Sequence, residues 1–423
     1  MPKQIPIHIL FILTLCQMLP FQGAAGASEF NISSETILRS FQRENSDGEK
    51  LAAIPVYEYL GIDWGDTEYG GLSFHANGWG RVDLGDQEYY QNDPEGYILD
   101  GYVQYSKPEN GLDLKLGRQH IYAGILNNSV DGIGFRGNAG SYASLLAYGG
   151  YPVGYEDDNG RTGDITYGGR IAFEELFPGE LGVSYKKLDN DSNTIDNKLG
   201  ADLSVYLFNR FVFSGLSFWN LETEDWGEHS YAADLYVSQF SLEAHYQMFQ
   251  YGDYFSGNSD NQMLSYLQDT DETLTILGGN IIWQQFHGFD TGLKLNHYTY
   301  DTRQETSRYM AVVLNLYGQA DTSVGAEAGI MDGESAANSY YLGRIYFYWD
   351  APSFMENWFV DGEFMYVGYK EEIYGRDSSI FSSAGCGRKI LNDAMKIKIS
   401  GDYCSDPYND SDIRIMTVVQ IEY

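Results

Sequence analysis

Apolar and polar residues alternate with a period of two along much of this chain. In the last segment, residues 412–423, the odd-numbered positions form one side and are apolar apart from Thr417, ending in Val419, Ile421 and Tyr423. The even-numbered positions are polar at both ends. A period of two is typical of a strand whose two faces meet different surroundings. The segment therefore predicts a strand with one apolar and one polar face.

The same alternation recurs in runs of eight to ten residues earlier in the chain, at residues 112–121, 240–249, 289–296 and 358–366. Strands of soluble sheets are usually nearer five or six residues, whereas a tilted strand needs about ten to cross the hydrocarbon core of a membrane. The runs therefore favour a transmembrane antiparallel β-barrel over a soluble sandwich or propeller.

The lengths of the connections support this prediction. Long links, such as residues 251–271, largely alternate with tight ones, such as residues 238–239, and residues 350–357 are the exception. Outer-membrane barrels have short periplasmic turns and longer outer loops. Counted in this way, residues 72–423 predict an up-and-down barrel of about 20 strands, within a range of 16–22, with both ends in the periplasm.

The N-terminus has the features of an export signal. Lys3 is followed by an apolar run, and the small residues at positions 25–27 fit a cleavage site before Ser28. We therefore expect residues 1–27 to be a signal peptide. Residues 28–71 are expected to be a periplasmic segment, with a short helix capped by Ser34 and a strand-like stretch at 56–64 whose place is open.

The composition agrees with an outer-membrane location. The chain of 423 residues has a formal net charge of -34, with 36 Tyr, 48 Gly and 10 Pro. Such a negative charge argues against nucleic acid, whose phosphates require a basic surface. Acidic loops can bind divalent cations together with lipopolysaccharide, so outer-membrane lipid and lipopolysaccharide are the expected surroundings. The ending in Val419, Ile421 and Tyr423 resembles the C-terminal signal of outer-membrane β-barrel proteins. This resemblance implies that the barrel-assembly machinery recognises these three residues.

Motifs for chemistry are missing from the sequence. It has no Cys-x-x-Cys-His haem attachment, P-loop, dinucleotide fingerprint, His-Glu-x-x-His or Gly-x-Ser-x-Gly. The seven histidines are scattered, so their spacing predicts no metal site. We expect no enzyme activity and no cofactor. Whether Cys386 and Cys404 form a disulfide is left open.

The polar face of each predicted strand would line a lumen. The alternation within each strand places seven charged residues on this face: Asp113, Lys115, Glu243, Asp290, Lys294, Asp361 and Glu363. Arg118 is an eighth candidate, because it is a long side chain that follows the small residue Gly117. A surplus of acids would favour cations. The alternative is that these acids are paired with bases and have no functional meaning.

Two stretches resemble bacterial outer-membrane porins. Residues 71–86 are followed by residues 112–137, in which Leu116-Gly117-Arg118-Gln119 precedes an Asp131-Gly132 pair. With residues 162–174, the layout is also similar to the barrel component of porin–cytochrome conduits. The first resemblance implies a passive channel. The second implies a sheath around a multihaem c-type cytochrome for extracellular electron transfer. A soluble, secreted all-β protein that binds cations or glycans is the remaining alternative.

Overall fold

The structure is a computed structural model. It describes residues 30–44, 50–65, 70–86, 89–90, 92–153, 164–174, 177–255, 271–286, 288–318, 322–350, 357–391, 394–408 and 411–422. The predicted signal peptide and Tyr423 lie outside these residues. Within them, no helix is long and apolar enough to cross a membrane.

Nearly all of the secondary structure is strand. The first twelve strands are β1 Phe30–Glu44, β2 Lys50–Ala53, β3 Pro55–Trp64, β4 Gly71–Asp83, β5 Glu95–Lys107, β6 Leu112–Ala123, β7 Leu126–Asn138, β8 Ala143–Pro152, β9 Ile165–Glu174, β10 Gly179–Asn190, β11 Asn193–Leu207 and β12 Phe211–Asn220. The others are β13 Asp225–Val237, β14 Phe240–Gln250, β15 Thr273–Phe286, β16 Phe289–Tyr300, β17 Glu305–Tyr317, β18 Ser323–Gly333, β19 Tyr340–Asp350, β20 Trp358–Ile373, β21 Arg376–Ile390, β22 Met395–Ser405 and β23 Asp412–Glu422. In the described part of the chain, one short α-helix, α1, spans Tyr251–Tyr254.

The strands form one closed antiparallel ring. From β3 to β23 each strand pairs with the next along the chain. The ring closes through β1, which pairs with β3 on one side and with β23 on the other, from Ser33–Glu422 to Ser40–Ile415. The short β2 pairs only with β1 in the described chain. The result is a closed up-and-down barrel of 22 strands.

The predicted strand number is close but slightly low. Strands β4 to β23, from Gly71 to Glu422, are the 20 strands that the pattern predicts. The two additional strands, β1 and β3, come from residues expected to lie outside the barrel. That expectation, with its helix at Ser34, is wrong for the described residues 30–44. The strand-like stretch at 56–64, whose place the sequence left open, is β3 of the ring. The side chains of Ser34 and Thr36 donate hydrogen bonds to Glu58 of β3, so polar residues stand on the face where the pattern requires apolar ones.

The two faces of the barrel wall differ in chemistry. One face carries large exposed apolar side chains, including Leu72, Leu116, Leu277, Ile345 and Ile413, which are 56–64% exposed. The opposite face carries most of the charged side chains, and it is the inner face because side chains from distant strands meet there, as described below. The apolar face is therefore the outer surface.

The two rims of the barrel also differ. β1 begins and β23 ends at the same rim, here called the terminal end, where connections are short, the longest being residues 351–357. The opposite rim, the loop end, carries the long links 84–94, 153–164 and 251–272. The expected alternation is incomplete, because the loop end also has two-residue turns at 124–125, 191–192 and 374–375.

The two cysteines cannot form a disulfide in this fold. Cys386 pairs across the ladder with Ile399, which is 57% exposed on the outer face, whereas Cys404 has the opposite parity in the same strand as Ile399. The two thiols therefore lie on opposite faces of the wall, and no disulfide joins them in the structure.

Candidate functional site

Seven of the eight predicted lumen residues lie on the inner face. Asp113 accepts hydrogen bonds from Ser106 Oγ at 2.6 Å and from Gln104 Nε2 at 3.1 Å. Lys115 lies 4.4 Å from the centre of the Tyr102 ring. Glu243 accepts a hydrogen bond from Asn280 at 2.8 Å, and Asp290 is on the inner side of β16 opposite Asn315. These residues line the lumen, and the contacts of Asp113, Lys115 and Glu243 are with other side chains of the wall.

The other three predicted residues form ion pairs with bases or acids that parity alone did not single out. Lys294 Nζ is 3.1 Å from Glu327 Oε2. Glu363 Oε1 is 2.6 Å from Arg344 Nε, and Asp361 Oδ1 is 2.8 Å from Lys398 Nζ. The alternative that acids and bases are paired is therefore correct for these residues. The partners were missed because they lie on other strands, in two cases with one strand between, and such contacts depend on register, which the sequence does not specify.

Arg118 does not belong to this inner row. It lies on the side of β6 that carries the exposed Leu114 and Leu116, and its guanidinium binds Asp131 at 2.7 and 2.9 Å. It also donates a hydrogen bond to the carbonyl oxygen of Ile98 at 2.7 Å. These contacts hold the base of a hairpin that leaves the wall at this point.

The hairpin of β6 and β7 extends beyond its neighbouring strands. β5 pairs with β6 only as far as Arg118, and β8 pairs with β7 only from Val130. Between these points, β6 and β7 pair only with each other, through the turn at Gly124 and Ile125. We call residues 119–129 the hairpin tip.

The hairpin tip folds into the lumen and contacts the inner wall. Gly124 lies so close to β10 and β11 that an added Cβ would be 2.3 Å from Ser184 Oγ and 2.6 Å from Asp202 Oδ2. A Cβ on Gly200 would be 2.2 Å from Ile125 Cγ2. Gly124 also has a φ of 57°, a left-handed conformation that glycine adopts at little cost. The tip therefore reaches the middle of β10 and narrows the lumen there.

An apolar cluster fastens the hairpin tip to the wall. It consists of Ile121, Ile125, Leu126, Val130, Tyr148 and Phe218, with Leu146, Leu216 and Tyr254 at its edge. Leu126 and Val130 are completely buried. Burial of a side chain of this size stabilises the packed state by about 1.5–3 kcal/mol. The tip is thus a packed part of the barrel and not a loose loop.

Helix α1 covers one side of this cluster. Its Tyr254 ring stacks on Phe218 with centres 6.4 Å apart, and Asp253 accepts hydrogen bonds from Asn220 and Thr223 at 2.7 and 2.8 Å. Burial raises the pKa of Tyr254 above its ordinary value. The start of the long loop 251–272 is thereby held against the tip.

The wall beneath the tip carries ion pairs. Arg170 binds Asp202 at 3.0 Å through Nε and also contacts Glu180. Asp196 lies between Lys186 at 2.6 Å and Lys198 at 3.1 Å. A charge taken out of water is costly unless it is paired, so these pairs allow charged residues to lie under the tip.

Glycines in neighbouring strands allow the hairpin to bend. Gly117 has a φ of 129° and lies opposite Gly132. A Cβ on Gly117 would be 2.3 Å from the carbonyl oxygen of Gly101, and one on Gly132 would be 2.2 Å from that of Gly149. These glycines were a signal in the sequence for a close backbone approach. The glycines did not indicate in which direction the hairpin bends.

No protein-family model matches this sequence, and no curated protein matches it. Among solved structures, the ferric enterobactin receptor PfeA of Pseudomonas aeruginosa, determined as a mutant, is 13% identical, with a TM-score of 0.56 over 93% of this chain and 80% of that chain. The siderophore receptor PirA of the same organism is 11% identical, with a TM-score of 0.56 and the same coverage. OccAB4 of Acinetobacter baumannii is 10% identical, with a TM-score of 0.48 over 96% of this chain and 100% of that chain.

The structural matches establish the fold alone. The first two matches share the closed barrel with this chain, and further matches include outer-membrane porins and a usher pore. The closed antiparallel barrel expected from the sequence is thereby confirmed. Among the described residues, no group of three or more His, Cys, Asp or Glu side chains is arranged to hold a metal ion.

Proposed function

We propose that this protein is a passive channel in a bacterial outer membrane, with a water-filled lumen that the hairpin tip narrows. The observation that carries the proposal is the closed ring of 22 strands with an apolar outer face and a charged inner face. Barrels of 16–18 strands already leave an aqueous channel, whereas 8-stranded barrels fill with their own side chains. A ring of 22 strands therefore has room for a pore beside the tip.

The outer surface is suited to lipid. Large aliphatic side chains occupy its middle, and aromatic residues such as Trp226 and Trp283, each 41% exposed, lie near opposite rims. Aromatic girdles at both interfaces are typical of transmembrane barrels. The closed ring also leaves no strand edge unpaired, as a hydrocarbon environment requires. Lipid and lipopolysaccharide are the surroundings that this surface fits.

The lumen should prefer cations. The bases Arg344 and Lys398 are neutralised by Glu363 and Asp361, and the chain as a whole has a net charge of -34. The two charges of an ion pair largely cancel in the field that a passing ion meets, so the acids in excess of bases would decide the sign of that field.

The route to the membrane follows from the two ends of the chain. Residues 1–27 would direct export, and the terminal end of the barrel would face the periplasm. Val419 and Ile421 lie on the outer side of β23, where assembly machinery could read them before the ring closes. Whether Tyr423 takes part is outside the described residues.

Reconstitution into planar lipid bilayers tests the proposal. The purified barrel should give stepwise ion conductance, with a reversal potential in a KCl gradient that shows preference for K⁺. A barrel that inserts into the bilayer but gives no conductance would overturn the proposal. If haem absorbance co-purifies with that barrel, the cytochrome-sheath alternative takes its place.

A further inference from the structure

The barrel wall is uneven in height where the hairpin of β6 and β7 leaves it. Each strand of the ring has a neighbour on both sides, but β5 continues over residues 95–100 beyond Gly101, whose partner on β6 is Arg118. On the far side of the hairpin, β8 ends at Pro152. Above the ion pair of Arg118 and Asp131, no strand of the described chain stands in the wall between β5 and β8. We call this gap the notch.

The notch lies at the height of the membrane core. Arg118 is six residues above Leu112, the first residue of β6 at the terminal end. A strand tilted by about 40° rises roughly 2.5 Å per residue along the barrel axis, so the ion pair is about 15 Å above this rim. The apolar band of a transmembrane barrel is about 25 Å tall. The notch therefore cuts into the half of this band nearer the loop end.

The outer surface on both sides of the notch is apolar or aromatic. Ile98 of β5 is 60% exposed, and Tyr151 of β8 is 50% exposed. Both lie on the outer face, because Ile98 pairs with Gly78 on the same side of β4 as Leu72, and Tyr151 has the same parity in β8 as Leu145. Acyl chains of the bilayer would therefore lie against both sides of the notch.

The floor of the notch is polar. The guanidinium of Arg118 binds Asp131 and also donates a hydrogen bond to the carbonyl oxygen of Ile98 at 2.7 Å. A side chain thus supplies to β5 a hydrogen bond that a neighbouring strand supplies elsewhere in the wall. Charged groups and strand edges do not face hydrocarbon directly. Water or the polar head of an amphiphile must therefore occupy the notch.

One face of the hairpin connects the outer surface with the lumen. Arg118 is on the outer face, and the next residues of the same parity, His120 and Tyr122, are exposed although the hairpin tip lies inside the barrel. Tyr122 is 75% exposed. Across the hairpin, these two residues pair with Ser129 and Asn127. We call these four residues the polar strip. It leads from the ion pair at the notch into the lumen.

The chemistry of the notch fits one class of solute better than others. Imidazole, phenol, hydroxyl and carboxamide groups of the polar strip both donate and accept hydrogen bonds, and Arg118 is neutralised by Asp131. An anion is disfavoured by the net charge of -34. A purely apolar solute would leave the polar strip unsolvated, and a purely polar one would gain nothing from Ile98. A neutral polar head with a hydrocarbon chain satisfies both surfaces.

The width of the notch limits the size of this solute. Strands in a sheet are about 4.8 Å apart, so the two strands that leave the wall open a gap of about 10 Å between β5 and β8. A gap of this width admits a molecule with one hydrocarbon chain more readily than a lipid with two chains and a bulky head.

We propose that the notch is a lateral portal through which neutral single-chain amphiphiles pass between the lumen and the surrounding leaflet. This inference rests on the proposed channel and adds a second exit for one class of solute. The head would move along the polar strip from Tyr122 towards Arg118, while the chain would enter the lipid beside Ile98.

Photo-crosslinking in phosphatidylcholine vesicles tests the portal. The probe is a monoacylglycerol that carries a diazirine on its glycerol head, and mass spectrometry maps the adducts on the reconstituted barrel. We expect adducts on residues 118–131, reduced at least about tenfold by an excess of unlabelled monoacylglycerol because the two compete for one site. Phosphatidylcholine with a diazirine in its head group is the control, and it should not label His120 or Tyr122.

Matched variants separate passage through the notch from general contact with lipid. His120→Trp places a bulky side chain on the polar strip and should lower the adducts on residues 121–131 at least about fivefold. Tyr105→Trp adds the same side chain on the outer face of β5 near the terminal end, where Tyr105 is 47% exposed, and should leave these adducts unchanged. Equal conductance in planar bilayers shows that both variants have folded.

The portal is overturned if a conducting barrel shows no monoacylglycerol adducts on residues 118–131, or if His120→Trp is labelled like the wild type. Equal labelling of the hairpin tip by the phosphatidylcholine probe would overturn the preference for single-chain amphiphiles. A barrel that is labelled as expected but gives no conductance would overturn the proposed channel instead, because crosslinking does not require ion flow.

Discussion

Two sectors of the inner wall have similar strands but opposite environments. In the covered sector, the inner faces of β9 to β12, the hairpin tip excludes water, so that Ser184 is 1% exposed and Thr166 completely buried. In the open sector, the inner faces of β16 to β22, charged side chains such as those of Lys294 and Arg344 remain about 40% exposed. Both sectors show the same alternation, so the strand pattern does not decide the difference.

The comparison shows that a wide barrel can divide its lumen by folding one hairpin inwards. In the covered sector, an apolar cluster stabilises the hairpin tip against the wall. In the open sector, the charged side chains remain accessible to a solute in the lumen. Ion selectivity and the passage of solutes are therefore expected to depend on the open sector. The width of the pore is expected to depend on the hairpin tip.

The largest expected difference between the sectors is in thiol reactivity. In a Cys386→Ser and Cys404→Ser background, Ser184→Cys of the covered sector should react with a water-soluble maleimide at least about tenfold more slowly than Ser383→Cys on the inner side of β21, because reaction requires an accessible thiolate. Labelling followed by mass spectrometry measures both rates. Equal rates would show that the tip does not stay packed on the wall.

Removal of the tip should widen the pore. Replacing residues 120–129 by Asn-Gly closes β6 and β7 with a type I′ turn at the level of the wall, and conductance should rise roughly twofold to fourfold because the constriction is lost. The control introduces the same turn residues at the terminal end, as Ser238→Asn with Gln239→Gly, and should not change conductance. An unchanged conductance after tip removal would mean that the narrowest point lies elsewhere.

A smaller change in conductance is expected when a larger side chain on the wall displaces the hairpin tip. Gly200→Val places a Cβ at a position 2.2 Å from Ile125 Cγ2, so the tip must move away from β11. We expect less than about a doubling of conductance, with more frequent current fluctuations, since cavities and strain loosen packing at this site. Gly343→Val, on the outer face, meets nothing within 4 Å and serves as the control. Identical traces for the two variants would contradict the packing described here.

The smallest expected effect is a change in ion selectivity when one charge of the wall is removed. Glu363→Gln, in the open sector, leaves Arg344 without its ion pair and should lower the K⁺/Cl⁻ permeability ratio by up to about twofold. Asp202→Asn under the tip should shift this ratio less, because its field is shielded by Arg170 and the tip. Reversal potentials in a KCl gradient measure both. A larger shift for Asp202→Asn would reverse the assignment of the open and covered sectors.

Much of the wall was predictable because its signal is local. Alternation within β4 to β23 depends on neighbours two residues apart, so both the 20 strands and the inner positions of Glu243, Lys294 and Asp361 follow from the sequence. The closed barrel was predicted, but the role of β1 in closing it was missed because that role depends on pairing β1 with β23, across nearly the whole chain. The sequence pattern made β1 look polar because of Ser34 and Thr36. The hydrogen bonds that these two residues donate to Glu58 form only after β1 and β3 pair.

The sequence by itself determined a wall of alternating strands with an apolar side and a charged side, because side-chain direction in a strand follows a period of two. Tertiary structure alone decided where the chain closes, that Cys386 and Cys404 are separated by the wall, and that Arg118 anchors a hairpin instead of lining the pore. It also decided that Gly117 and Gly132 bend this hairpin inwards. These features depend on register and on contacts between distant strands, which no local pattern records.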